Sequence, residues 1–132
     1  MQSSTDWTEY WNEGTRYLEI AERAFGHKAS FTPEILYHML GMSLEKMFMA
    51  WMGNAGKLPD NHTVRDLVRG AEQISALPEL LRRDLIRFDR FMGLCSLIPL
   101  PMDPPTAADV PAMFETVRQT KTWIGERYAC AN

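Results

Sequence analysis

The sequence predicts an all-α protein, an up-and-down bundle of four to five helices. Apolar residues recur every three or four positions along five segments, which is the spacing of one face of a helix. No segment alternates apolar and polar residues in the way that a half-buried strand does. The connections between most of the segments are short, and short connections place consecutive helices side by side in opposite directions.

Length and composition restrict the class of protein. The chain has 132 residues, of which 45% are apolar, and this suits a single domain over residues 1–132 with one core. The formal net charge is −3 with mixed signs. The chain therefore lacks the basic field of a strong nucleic-acid binder, and it carries no DNA-binding motif.

Cysteine spacing and hydropathy predict a cytoplasmic location without a membrane partner. Cys95 and Cys130 lie far apart and do not make a zinc spacing, so both are interpreted as reduced thiols. No apolar run reaches transmembrane length, because Glu45, Lys46 and Gly53 interrupt the longest one. The first residues lack the basic and apolar segments of a signal peptide.

The first helix is predicted over roughly Asp6 to Phe25, and Gly26 ends it. Its residues step by three or four, so that they share one buried face. This face contains Trp7, Trp11, Gly14, Leu18, Ala21 and Phe25.

The second helix has a clear start and two apolar faces. Thr32 is a capping residue and Pro33 suits the first helical position, while Gly53 and Gly56 end the helix. One face contains Tyr37, Leu40, Leu44, Phe48 and Trp51, and the other contains Ile35, Met39, Met42 and Met49. A helix that is apolar on two sides must be covered on two sides. The second cover is either a second subunit, which predicts a homodimer, or another helix of a monomer.

Three further segments complete the bundle. The third helix begins near His62 or Thr63, where Thr63 and Asp66 resemble a capping box. The fourth helix follows Pro78, and four prolines between positions 99 and 105 form an extended connector. The last helix begins near Asp109. The apolar faces of these helices contain Val64, Leu67, Val68, Ala71 and Ile74, then Leu81, Leu85, Phe88, Met92 and Cys95, then Met113, Val117, Ile124 and Tyr128.

Arginines on the fourth helix are one candidate ligand-binding surface. Arg83, Arg87 and Arg90 step by four and three, so they lie on one face opposite the apolar one. If they converge with basic residues of the third helix, they can bind phosphate groups. The other interpretation is an ordinary solvated face that Asp84 and Asp89 partly neutralise.

A charged pair in the second helix is another candidate. Glu45 and Lys46 interrupt apolar surroundings and point in different directions because they are adjacent in a helix. They lie either at the rim of an interface or in a polar cleft. In a cleft, a carboxylate can act as a base or as a nucleotide contact.

No motif predicts a cofactor. The chain has no Walker loop, no Gly-x-Gly-x-x-Gly and no nucleophile elbow. Three histidines, His27, His38 and His62, could form a metal site of a helical-bundle enzyme. No two of them have the four-residue spacing that places two ligands on one helical face, so a metal site is not predicted and stays an alternative.

The second and third helices together resemble the HEPN family, which is named for nucleotide-binding domains of higher eukaryotes and prokaryotes. The resembling segments are residues 40–46 with Ala50-Trp51-Met52, then the turn of residues 56–59, then residues 62–68 at the start of the third helix. The resemblance implies an up-and-down bundle that usually forms a homodimer. Many relatives are toxin ribonucleases, or partner nucleotidyltransferases in toxin–antitoxin pairs.

The nuclease branch of that family carries an arginine followed by a histidine late in the bundle, and this chain departs from it. No histidine follows the arginines of the fourth helix. We therefore expect a non-catalytic protein that binds a nucleotide, RNA or a protein partner through candidates on the second to fourth helices. The candidates are Glu45, Lys46, His62, Arg83, Arg87 and Arg90. The alternatives are an RNA-cleaving enzyme with an atypical site of Arg83, Arg87 and Glu45, and the three-histidine metalloenzyme.

Overall fold

The described residues of the computed structural model, 7–27, 31–59, 61–89 and 104–131, form five helices and contain no strand. The helices are α1 (Trp7–Gly26), α2 (Pro33–Asn54), α3 (Val64–Ala71), α4 (Glu79–Asp89) and α5 (Val110–Ala131). This confirms the prediction of an all-helical protein. Within these residues, no helix is both long and apolar enough to span a membrane. Arg90, Met92, Cys95 and the first two connector prolines lie outside the described residues.

Helix α2 is the centre of the molecule and packs against α1, α5 and α3. Its start follows the local sequence, because the Thr32 hydroxyl accepts a hydrogen bond from the Ile35 backbone at 3.2 Å and Pro33 opens the helix. Its end is a Schellman turn around Gly56, whose φ is +75°. The Lys57 amide donates to the Met52 carbonyl at 2.8 Å, and the helix continues past Gly53 to Asn54.

Two glycines allow α1 to approach α2 closely. A Cβ atom at Gly53 would lie 2.5 Å from ring atoms of Trp7, so the indole occupies the space of the missing side chain. A Cβ atom at Gly14 would lie 2.8 Å from Cγ of Met47 and 3.0 Å from the Ser43 carbonyl oxygen. The Ser43 hydroxyl donates to the Gly14 carbonyl at 2.6 Å, which joins the two helices at this crossing.

The core lies on the inner side of α2. Its largest fully buried side chains come from all five helices, and they are Leu18, Leu40, Leu44, Met47, Phe48, Met52, Leu67, Leu85, Phe88, Met113, Phe114 and Ile124. One prediction for α1 is wrong. Phe25 is 44% exposed and Ala24 is buried instead. Phe25 lies in the last turn of α1, where its ring stacks against Phe114 with the centroids 5.2 Å apart.

The second apolar face of α2 is only partly covered in the single chain. We call Ile35, Met39, Met42 and Met49 the outer strip of α2. Ile35 is 42% and Met42 is 37% exposed, whereas Met39 and Met49 are half-buried. Met39 packs against the core, so Ile35 and Met42 are the members of the strip that the bundle leaves most exposed.

Candidate functional site

Glu45 and His62, two of the six candidates, are in direct contact. Glu45 lies in the middle of α2, and His62 immediately precedes Thr63, the N-cap of α3. Nδ1 of His62 lies 2.6 Å from Oε2 of Glu45. The chain returns to α2 after the turn at Gly56, since His62 contacts Glu45 in the middle of that helix. The His62 side chain is half exposed, so its ring is accessible beside the carboxylate.

Lys46 lies at a different interface from its neighbour Glu45. Its ammonium group is 3.2 Å from Oε2 of Glu13 on α1 and 5.0 Å from the ring centroid of Tyr10. Glu45 therefore binds towards α3 and Lys46 towards α1. The structure does not join the two into one site, and this follows from the 100° step between adjacent helical residues.

The start of α3, next to His62, is held by two acidic groups. The Thr63 hydroxyl accepts from the Asp66 amide at 3.1 Å and contacts the Asp66 carboxylate at 2.6 Å, so the predicted cap forms. The Asp89 carboxylate at the end of α4 accepts from the Val64 amide at 3.2 Å. Asp89 thus supplies a second cap, from a helix that is distant in sequence.

The environment of Asp89 favours its protonated form. Burial raises the pKa of the Asp89 carboxyl above its ordinary value, and the charge of Asp66 adds to this. Hydrogen bonds from the backbone of Val64 and Arg65 and the charge of Arg65 oppose the rise in pKa, but burial is the larger effect. No local sequence signal indicates this role, because it requires the tertiary contact between α3 and α4.

The arginines of α4 do not join the Glu45–His62 contact in the part of the chain that is described. Arg83 and Arg87 lie exposed on the outer face of α4, and neither has an ion-pair partner among the described residues. The neighbouring Arg82 is engaged, since its Nε lies 3.2 Å from Oε1 of Glu72. Arg90, the third candidate of this stripe, lies outside the described residues.

The three-histidine metal site is not formed. All three histidines are described, and no group of three His, Cys, Asp or Glu residues in the described ranges could share a metal ion. The ring of His38 lies with its edge towards Tyr37, at 6.0 Å between centroids, while His62 is bound to Glu45. His27 follows the end of α1.

Comparison with known proteins identifies no relative. No family model matches the chain, and neither a curated protein nor a solved structure matches it. Functional inference therefore depends on the residues and their geometry.

Proposed function

We propose that this chain is a HEPN-like up-and-down bundle that forms a homodimer and acts as a non-catalytic binding protein for a nucleotide or RNA. The contact of Glu45 with His62 carries the proposal. These residues lie 17 positions apart within the two segments that resemble the family, and the fold brings them to hydrogen-bonding distance on an accessible surface. A protein partner, such as a nucleotidyltransferase of a toxin–antitoxin pair, is the other outcome of the test below.

Contacts between helices support the up-and-down arrangement. Trp7 packs on Gly53 while Gly14 packs near Ser43, so α1 and α2 run in opposite directions. The Asp89 contact with Val64 and the Arg82 contact with Glu72 give the same relation for α3 and α4.

The outer strip of α2 supports the homodimer. It presents apolar side chains on a helix whose other side is fully buried, and burying such a surface is favourable by about 25 cal/mol per Å². Methionines suit an interface of this kind because their side chains adapt to the opposing surface. Glu45 borders the strip, as charged side chains do at the rim of an interface, whereas Lys46 lies within it between Met42 and Met49 and pairs with Glu13 of α1.

Binding is the function that the contact supports directly. The carboxylate of Glu45 holds one nitrogen of the His62 ring and leaves the second free of any contact with Glu45. An imidazole oriented in this way can exchange a hydrogen bond with a base or a phosphate. The end of α4 contacts the start of α3 through Asp89, and the exposed Arg83 and Arg87 of α4 are a further source of phosphate contacts.

The experiment is a thermal-shift series with nucleoside mono-, di- and triphosphates and with short RNA. Binding to the folded form raises the melting temperature, since ligand at 100 times its Kd stabilises by about 2.7 kcal/mol. We expect one ligand class to raise it and His62→Gln to reduce the shift, whereas His38→Gln, an exposed histidine of α2, leaves it intact. No shift with any nucleotide or RNA, or equal shifts in both variants, would contradict the proposal and leave a protein partner.

The RNA-cleaving alternative is favoured by the same contact. A carboxylate that orients a histidine ring is the arrangement of a general base, and RNA cleavage needs such a group. Purified protein is incubated with mixed RNA, with and without chelator. Cleavage that His62→Ala abolishes, and Arg87→Ala weakens, would establish the enzyme. Absence of cleavage, or cleavage that both variants retain, would remove it.

A further inference from the structure

A groove of about 590 Å³ lies between α1 and α5, away from the residues discussed above. Both helices pack on α2, but they contact each other at only a few residues. Two residues of each helix determine the polarity of the groove walls. Trp11 and Leu18 of α1 supply an apolar wall, and Lys121 and Thr122 of α5 supply a polar one. The volume is in the range of small-molecule sites, which is roughly 300–1,000 Å³.

The aromatic end of this groove is held in place. The Trp11 ring stacks on Tyr128, with centroids 5.7 Å apart and 27° between the planes. Gly125 lines the groove beside it, and a Cβ atom there would lie 3.6 Å from the edge of the Trp11 ring. The indole is therefore a fixed, half-buried surface against which another planar ring can pack.

The four charged residues that line the groove are Glu22, Arg118, Lys121 and Glu126, and their charges sum to zero. Arg118 donates from Nε to Glu22 at 2.7 Å, which connects α5 to α1. Glu126 lies 3.9 Å from Arg127. Lys121 is half-buried and has no anionic partner among the described residues. A lysine side chain without a nearby counter-charge can bind an anion through its ammonium group.

We infer that the groove binds a small aromatic anion, with its ring against Trp11 and its charged group at Lys121. Lys121 and Gly125 are four residues apart and so lie on the same face of α5. Lys121 is thus one helical turn from Gly125, beside which the Trp11 ring packs. The anionic group is a carboxylate or a phosphate, since a lysine binds either as a point charge. This inference does not depend on the Glu45–His62 contact or on a dimer.

The test is a titration of the ¹⁵N-labelled 132-residue chain, followed by NMR. Phenylacetate is the carboxylate probe and adenosine 5′-monophosphate the phosphate probe, while phenylacetamide and adenosine are their uncharged counterparts. We expect at least one anion to give saturable shifts of the Trp11 indole N–H and of the amides of residues 118–125. The uncharged counterparts should not reach saturation in the same concentration range.

The matched variants are Lys121→Gln and Lys57→Gln, the second at an exposed lysine of the turn after α2. Hydrogen bonds to charged groups are stronger than neutral ones, so Lys121→Gln should weaken binding about tenfold or more. Lys57→Gln should bind as the parent protein does. The inference is wrong if neither anion saturates, if the uncharged probes bind equally well, or if Lys121→Gln binds as the parent does.

Discussion

The two sides of α2 have similar side chains and opposite surroundings. On the inner side, Leu44 and Phe48 are fully buried between α1, α3 and α5. On the outer side, Ile35 and Met42 remain more than a third exposed, although their side chains are also apolar. Apolar periodicity thus identifies both sides of a helix but does not determine what covers each of them. The difference separates what holds the bundle together from what remains open to a partner.

The largest expected difference between the two sides concerns truncation of a side chain. Phe48→Ala removes a fully buried ring and should lower the free energy of unfolding by about 3–5 kcal/mol. Met42→Ala, on the outer strip, should lower it by less than about 1 kcal/mol in dilute, monomeric protein, because its side chain is already partly in water. Urea unfolding of both variants measures this. Similar losses at the two positions would show that the outer strip belongs to the core.

Replacing a glycine by alanine tests the packing around α2 with a smaller expected change in stability. Gly14→Ala places a Cβ against Met47 and the Ser43 carbonyl, and it should destabilise by about 1–3 kcal/mol. Gly41→Ala, on α2, meets nothing within 4 Å and should stabilise by about 0.4–1 kcal/mol, through the unfolded chain. Melting temperatures that move in opposite directions are the expected result. A stable Gly14→Ala variant would contradict the close crossing of α1 and α2.

The cap at the start of α3 predicts a modest loss of stability and a dependence on pH. Asp89→Ala removes the acceptor for the Val64 amide and should cost about 0.5–2 kcal/mol, whereas Asp89→Asn keeps an acceptor. Because burial raises the pKa of Asp89, the folded state binds its proton more tightly than the unfolded state does. The stability that this proton contributes is present in acid and is lost as the pH rises through the folded pKa.

The Asp89→Asn variant does not lose stability in this way as the pH rises. Its stability relative to the parent protein should therefore increase as the pH rises above about 4, the ordinary range of an aspartate. Urea unfolding at a series of pH values measures the difference. A difference that is independent of pH, or that changes in the other direction, would contradict the effect of burial on Asp89.

Features set by neighbouring residues were predictable from the sequence, and those set by distant ones were not. The caps at Thr32 and Thr63 and the glycine turn at Gly56 depend on residues within one helical turn, so their signals are local. The Asp89 cap joins two helices, and no spacing rule indicates it.

The candidate site shows the same division. Glu45 and His62 were predicted separately as candidates, but their contact depends on the path of the chain between α2 and α3. Lys46 was predicted beside Glu45, and the structure pairs it with Glu13 because the register of α1 against α2 decides its partner.

Sedimentation equilibrium at high micromolar concentration gives the mass of the protein in solution and so tests the proposed dimer. We expect a species of twice the chain mass of 15.2 kDa. Ile35→Glu with Met42→Glu should convert it to the single-chain mass, whereas Leu80→Glu, at an exposed leucine of α4, should leave it unchanged. A parent protein that sediments as a single chain at that concentration would contradict the claim that a second copy covers the outer strip of α2.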